Sequence, residues 1–167
     1  MRQRIAFESI MLIAVVASLT FGYQKPNFAG AWTMDQARSF GLQPNEKQAI
    51  KVAHTNDQID FEVHVTLPAG EYTVKDSYVV DGKEREFTPQ GAKGPVANAK
   101  GKRTANWLSN GRGIAVNEET VTETPKGPQT TKIVRRWTIS PQGELVLDNY
   151  IDTASVSFET KRIFTKQ

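Results

Sequence analysis

Cysteine is absent from this chain of 167 residues, and histidine occurs only twice, as His54 and His64. Without cysteine the protein has no disulfide framework, no thiolate metal site, no cysteine nucleophile and no lipid-modified N-terminal cysteine. Two histidines do not suffice for a multi-histidine metal site, and we predict neither a bound metal nor a cofactor. The length fits one domain rather than two.

Long hydrophobic runs are also missing, because the longest apolar stretch stops short of a membrane span. Residues 10–17 are all apolar and follow a basic start. A transmembrane helix needs about 20 such residues, so the pattern is typical of a secretory signal peptide rather than of a retained anchor. We predict a leader over residues 1–22, with a cut after Ser18 as the alternative to one after Gly22. Residues 23–167 then form a secreted or periplasmic domain without a stable membrane anchor.

The chain has no large excess of positive charge. Lysine and arginine number 21 against 18 acidic residues, and removal of the leader leaves a net charge of +2. We therefore predict no nucleic-acid partner. Residues 90–103 are rich in glycine and contain four cations and no acid, namely Lys93, Lys100, Lys102 and Arg103. A solvated loop is the simpler interpretation, and an anion-binding loop at the mouth of a barrel is the alternative.

Sustained helical periodicity is missing as well, and the eight prolines all fall between candidate segments. Proline cannot donate to a strand ladder, so this placement favours short strands joined by turns. One exception is predicted after the first strand, where Asp35 would cap a short helical turn over residues 35–40 that Gly41 ends.

Three hairpins can be tested by register, because directly opposed residues must share one face of a sheet. In each hairpin the large apolar residues fall on a common face. The opposed pairs are His54 with Ile59, Val52 with Phe61 and Ile50 with Val63; Trp107 with Ile114 and Ala105 with Val116; and Ile139 with Leu145 and Trp137 with Leu147. We predict an all-β fold, an antiparallel up-and-down β-barrel of about 8–10 strands.

A fourth candidate hairpin, around Asp81-Gly82, does not fit this pattern. It opposes Tyr78 with Arg85 and Asp76 with Phe87, which mixes polar and apolar residues on each face. Either a twisted ribbon leaves the core here, or one of the two strands pairs elsewhere.

Several short motifs occur in a characteristic order along residues 23–167. They are Phe28-Ala29-Gly30-Ala31-Trp32 followed by Arg38-Ser39, then Asp81-Gly82-Lys83-Glu84, Ala105-Asn106-Trp107, and Trp137-Thr138-Ile139-Ser140 with Gly143 beyond. This arrangement resembles a lipocalin-like (calycin-type) family of uncharacterised secreted bacterial proteins. The resemblance implies a barrel that is plugged at one end by the tryptophan of the first strand, with a basic residue of the last strand across its indole.

The last strand offers a candidate for that basic residue. Arg162 shares a face with Phe158 and Phe164, and a guanidinium on an apolar face gains from stacking on an indole. We predict that Arg162 contacts Trp32 and that both, with Gly30, close the fold. The alternative is that Arg162 extends into solvent.

The aromatic residues suit the lining of either a filled core or a ligand cavity, and the sequence leaves both open. The candidate ligand-binding residues are Phe61, Tyr72, Tyr78, Trp107, Trp137 and Tyr150. No nucleophile elbow, catalytic triad spacing or paired-carboxylate motif occurs, and we predict Glu118 and Glu119 to lie at exposed strand ends. The leading hypothesis is non-catalytic binding of a small apolar or amphipathic molecule inside the barrel. The alternatives are an envelope protein-interaction module with a packed interior and, less favoured, an enzyme in the same barrel.

Overall fold

The computed structural model describes residues 25–91 and 93–167, and all regular elements in these ranges are β-strands. The predicted signal peptide over residues 1–22 lies outside the described residues. Within residues 25–91 and 93–167, no helix is long and apolar enough to cross a membrane. The strands are β1 Gly30–Met34, β2 Lys47–Thr55, β3 Gln58–Leu67, β4 Gly70–Val79, β5 Arg85–Phe87, β6 Gln90–Gly91, β7 Gly94–Pro95, β8 Ala99–Trp107, β9 Gly113–Thr124, β10 Gly127–Ile139, β11 Leu145–Thr153 and β12 Ser157–Lys166.

Ten of these strands form one curled antiparallel sheet, which confirms the predicted all-β class and strand number. Its order is β4-β3-β2-β1-β12-β11-β10-β9-β8-β5, while β6 and β7 form a separate short hairpin. The first and last strands of the chain pair with each other, Trp32 opposite Lys166. The sheet is a half-barrel, since β4 and β5 are its two edges and do not pair.

The turn between β4 and β5 explains these edges. The backbone N–H of Val80 donates to the carbonyl of Asp57, and that of Gly82 to the carbonyl of Ala105. These bonds direct the chain away from β4, so β5 pairs with β8 instead. Of the two interpretations of the Asp81-Gly82 segment, a strand whose partner lies elsewhere is the one observed.

The three hairpin registers predicted from the sequence are confirmed. The structure opposes Val52 with Phe61, and the equivalent pairs of the other two hairpins match as well. Gly143 has a φ of 79°, the left-handed conformation that the three-residue turn before β11 requires.

The short helical turn predicted after β1 is wrong. Residues 36–38 form a single turn in which the Asp35 carboxylate accepts hydrogen bonds from the backbone N–H groups of Ala37 and Arg38. The chain then leaves helical geometry because Phe40 exchanges two backbone hydrogen bonds with Lys161 on β12. Pairing with a strand therefore takes the place of helix propagation.

The two ends of the half-barrel differ. The closed end carries the β2–β3, β8–β9 and β10–β11 turns, and the open end carries the β3–β4, β9–β10 and β11–β12 turns. The hydrophobic core occupies the closed end. Its buried members are Phe28, Trp32, Met34, Ile50, Val52, Ile59, Phe61, Tyr78, Val80, Ala105, Ile114, Val116, Trp137, Leu145, Leu147 and Phe164.

Candidate functional site

A continuous chain of hydrogen-bonded and ion-paired side chains crosses the inner face of the sheet from β4 to β12. We call it the interior polar chain, and it consists of Asp76, Arg103, Glu118, Arg135, Asn149 and Thr160. The distances along it are 3.1 Å from Arg103 to Asp76, 3.5 Å from Arg103 to Glu118, 3.0 Å from Arg135 to Glu118, 3.4 Å from Arg135 to Asn149 and 3.1 Å from Asn149 to Thr160. Six strands each contribute one residue.

The strand register produces this chain. Arg103 lies directly opposite Glu118, and Asn149 lies opposite both Arg135 and Thr160 on its two neighbouring strands. Directly opposed residues lie on the same face of a sheet, so the polar side chains of neighbouring strands contact one another on the inner face.

Arg103 contacts both edge strands of the half-barrel, β4 through Asp76 and β5 through Phe87. It lies on β8 and binds Asp76 on β4, while its guanidinium stands 3.9 Å from the ring centre of Phe87 and 5.2 Å from that of Tyr78. Phe87 lies opposite Gly101, where a side chain would collide with its ring. These contacts connect β4 and β8 where no backbone ladder does.

The interior polar chain is balanced in charge. Glu118 is almost fully buried, its side chain 3% exposed, and it lies between Arg103 and Arg135. Burial alone would lower the pKa of Arg135, but Glu118 and the neighbouring acidic groups outweigh it and raise that pKa. Burial raises the pKa of the Tyr78 phenol, which therefore stays protonated. The carboxylates of Asp76 and Glu118 are both paired with arginine side chains, so the charges of these residues are fixed in position.

A second buried ion pair lies nearby on β12. Arg162 donates to the carboxylate of Glu46 at 3.3 Å and to the backbone carbonyls of Phe40 at 2.9 Å and Gly41 at 3.3 Å. Its guanidinium is thus engaged with the segment between β1 and β2, and it is only 8% exposed. The alternative of an arginine extending into solvent is not observed.

The cation over the Trp32 indole is not Arg162. Lys166, also on β12, lies 5.4 Å from the ring centre, and the indole N–H donates to the carbonyl of Phe28. Gly30 has a φ of 144°, a conformation that residues with a side chain rarely adopt, and its Cα faces the flexible end of Lys166. A basic residue of the last strand does cover the tryptophan, but it lies four residues after the predicted Arg162. The closing role of Gly30, Trp32 and Arg162 stays a prediction.

A cavity of about 310 Å³ lies inside the half-barrel, between the core and the open end. Its walls come from opposite sides of the sheet. They are formed by Gln48, Ile50, Val63, Val65, Tyr72, Val74, Asp76, Tyr78, Phe87, Pro89, Gln90, Glu118, Thr120, Ile133, Arg135, Trp137, Leu147, Asn149 and Arg162. Two buried donors among the described residues lack a hydrogen-bond partner, the Trp137 Nε1–H and the Arg162 Nε–H, and both side chains belong to this wall.

The six aromatic candidates fall into three groups. Tyr72, Tyr78 and Trp137 line the cavity. Phe61 lies beneath it in the core, stacked on Trp137 with 4.3 Å between ring centres. Trp107 packs at the closed end, where its N–H donates to Asp57, and Tyr150 is 45% exposed on the outer face. The structure therefore brings three of the predicted ligand-binding residues together.

The four cations of the basic segment do not lie in one loop. Lys93 lies between β6 and β7, whereas Lys100, Lys102 and Arg103 belong to β8, because residues 99–107 pair with β9. Strand alternation separates them further. Lys102 pairs with Glu84 on the outer face and Arg103 points inward to Asp76 and Glu118.

The two histidines lie on opposite faces of the β2–β3 hairpin. His54 accepts from the backbone N–H of Phe28 at 3.4 Å, while exposed His64 lies 3.3 Å from the Glu71 carboxylate. Within residues 25–91 and 93–167, no group of three or more acidic or histidine side chains is arranged to hold a metal ion.

Sequence reasoning missed most of the interior polar chain. The prediction that Glu118 lies at an exposed strand end is wrong. Its side chain is buried on the inner face, two residues after Val116. The signal was present, because the Asn110-Gly111 hairpin that opposes Ala105 with Val116 also opposes Arg103 with Glu118. Arg135 likewise shares the face of Trp137, two residues further along β10.

Comparisons with known proteins give a weak likeness at the level of the fold. No protein-family model matches the chain, and no curated protein does. Among solved structures, the chain is similar to secretory abundant heat soluble protein 4 from Ramazzottius varieornatus, with 14% identity and a TM-score of 0.45. The match covers 83% of this chain and 94% of that one.

Proposed function

We propose that this protein is an exported, lipocalin-like binding protein that holds a small amphipathic molecule in the interior of its half-barrel, without catalysing a reaction. The observation that carries the proposal is the cavity of about 310 Å³ that lies between opposite walls of the sheet. That volume lies at the small end of the range of ligand pockets, roughly 300–1,000 Å³. The ligand is therefore a small one.

The wall combines an apolar side with a polar side, which is why an amphipathic ligand fits best. Val63 and Val65 of β3 and Val74 of β4 supply the apolar side. Glu118 and Arg135 supply the polar side on β9 and β10. A few placed polar groups in a mainly apolar wall orient a ligand.

The interior polar chain supports binding better than catalysis. Its carboxylates accept hydrogen bonds from arginine side chains, which leaves Asp76 and Glu118 poorly placed to take a proton from a substrate. The Tyr78 phenol beside them has a raised pKa and remains protonated. Fixed, paired charges of this kind position a ligand and preserve the shape of the cavity.

A cavity-filling variant tests the proposal directly. Val74→Trp places a large ring in the cavity, whereas Thr73→Trp places the same ring on the outer face of the same strand. With N-phenyl-1-naphthylamine as a neutral fluorescent probe, we expect saturable binding to the wild type and to Thr73→Trp. Binding to Val74→Trp should be at least about tenfold weaker. Equal binding by both variants would place the probe outside the cavity and refute the proposal.

The second candidate function is a protein-interaction module, and the unpaired edge of β4 favours it. This strand has ten residues, and its outer backbone groups pair with no neighbouring strand of the main sheet. Exposed edges of this length can accept a strand from a partner. Thr73→Pro would block strand addition while leaving the cavity wall in place. If Thr73→Pro loses binding to a protein partner but still binds the fluorescent probe, that result favours the protein-interaction module.

The export part of the proposal depends on the leader predicted over residues 1–22. Expression of the full chain in a Gram-negative bacterium, followed by fractionation and N-terminal sequencing, tests it. We expect a product that begins at residue 23, or at residue 19, in the periplasm or the medium. An intact N-terminus in the cytoplasm would contradict export and leave the binding proposal standing.

A further inference from the structure

We infer that the cavity selects an uncharged head group, such as an alcohol, amide or ester, and disfavours both carboxylate and ammonium ligands. This inference rests on the proposed binding function and adds the chemical class of the ligand. It follows from the charges around the cavity, from the uncharged polar side chains in its wall, and from the cost of burying an unpaired ion.

The charged side chains in the cavity wall already cancel one another. They are Asp76, Glu118, Arg135 and Arg162, two of each sign. Glu118 lies 3.0 Å from Arg135, whereas Asp76 and Arg162 are paired with residues behind the wall, Arg103 at 3.1 Å and Glu46 at 3.3 Å. An incoming anion or cation thus meets no unpaired countercharge.

The other polar side chains of the wall include several that carry no formal charge. Among them are Gln48, Gln90 and Thr120, whose amide and hydroxyl groups both donate and accept hydrogen bonds. Such groups bind a hydroxyl, amide or ester group without requiring a formal charge. The wall therefore offers hydrogen bonds, but no unpaired ion, to the head group of a ligand.

A charged ligand would have to lose water without gaining an ion pair. A carboxylate near Arg135 would also approach Glu118, and an ammonium near Glu118 would approach Arg135. The attraction of one residue is thus offset by the repulsion of the other. Desolvation of the ligand's charge then remains uncompensated, and binding weakens.

A series of eight-carbon ligands tests this inference on the whole protein. 1-Octanol, octanoate and octylammonium share one chain and differ in head-group charge at pH 7. Each is titrated against bound N-phenyl-1-naphthylamine, with isothermal titration calorimetry as a second measurement. We expect octanol to bind at least about tenfold more tightly than either ion. Tighter binding of octanoate or octylammonium would overturn the inference while leaving the proposed function intact.

A matched pair of variants separates charge balance from general apolar preference. Glu118→Gln removes one negative charge from the cavity wall and leaves Arg135 without its partner, whereas Glu119→Gln removes the same charge from the outer face of β9. We expect octanoate to gain about tenfold relative to octanol in Glu118→Gln and to be unchanged in Glu119→Gln. An unchanged ratio in a folded Glu118→Gln protein would overturn the inference. Failure of all three ligands to bind the wild type would overturn it together with the proposed function.

Discussion

The closed and open ends of the half-barrel are built from the same strands but from different inner residues. At the closed end the inner positions are large and apolar, and Ile59, Ile114 and Phe164 are completely buried. Towards the open end the same faces continue into Val74, Thr120 and Gln48, which border a cavity. The interior polar chain lies between the two regions. This division shows how one curled sheet can be stabilised at one end while space for a ligand remains at the other.

The largest effect is expected from a truncation at the closed end. Phe61→Ala removes a ring that is 2% exposed and stacked on Trp137. Loss of a buried phenylalanine leaves a cavity in the core, and the free energy of unfolding should fall by about 4 kcal/mol. Urea denaturation followed by tryptophan fluorescence measures this change. A loss below about 1 kcal/mol would contradict the assignment of the core to this end.

A smaller effect is expected where the two regions meet. Glu118→Leu leaves Arg135 without its carboxylate, and the free energy of unfolding should fall by about 2–3 kcal/mol. In the double variant Glu118→Leu/Arg135→Leu, both charges are gone and more than half of this loss should be recovered. A double-mutant cycle, measured by urea denaturation, gives the coupling free energy between Glu118 and Arg135. Simple additivity of the two substitutions would show that the pair is not coupled.

Truncation at the open end should affect binding more than stability. Tyr72 lines the cavity and is only partly buried, so Tyr72→Ala should lower the free energy of unfolding by less than about 1 kcal/mol. Affinity for N-phenyl-1-naphthylamine should fall several-fold in the same protein. A stability loss equal to that of Phe61→Ala would erase the distinction between the two ends.

The smallest effect concerns the turn that separates β4 from β5. Asp81 accepts two hydrogen bonds from Arg85 and one from the backbone N–H of Lys83, and these hold the pKa of Asp81 well below its usual range. A depressed pKa in the folded state stabilises the protein above the unfolded-state value, about 3.9. This contribution is lost as the pH falls below that value towards the folded-state pKa.

Thermal unfolding of the wild type and of Asp81→Asn from about pH 6 downward measures this effect. The difference in Tm should be present at pH 6 and shrink below about pH 4. Glu86→Gln, on the exposed face of the neighbouring strand β5, serves as a control for general surface charge. A difference that grows on acidification would contradict the depressed pKa.

The sequence predicted the closed end far better than the open end. Alternation of apolar residues gives the registers of the three hairpins, because a slip of one residue would move Val52 and Phe61 to the wrong face. Between the closed end and the open end, the same alternation places Glu118 and Arg135 on the inner face, although each in isolation resembles an exposed strand residue. Only the pairing of β8, β9 and β10 shows that these charges meet inside.

Two further features depended on contacts that are distant in the sequence. Whether β4 pairs with β5 is decided by backbone bonds from Val80 and Gly82 to other strands. The partner of Arg162 is similarly remote, since Glu46 lies 116 residues earlier in the chain. Local sequence patterns carry no information on such pairs. The family resemblance implied a basic residue of the last strand over Trp32, but it did not distinguish Lys166 from Arg162.

We expect a ligand to occupy the open end of the half-barrel and to leave the closed end undisturbed. Methyl-labelled protein titrated with 1-octanol tests this expectation in one set of NMR spectra. We predict shifts of the Val63, Val65 and Val74 methyl signals, which line the cavity, and none for Ile59 and Ile114 in the core. Shifts that are strongest at Ile59 and Ile114, or uniform across both ends, would contradict binding at the open end.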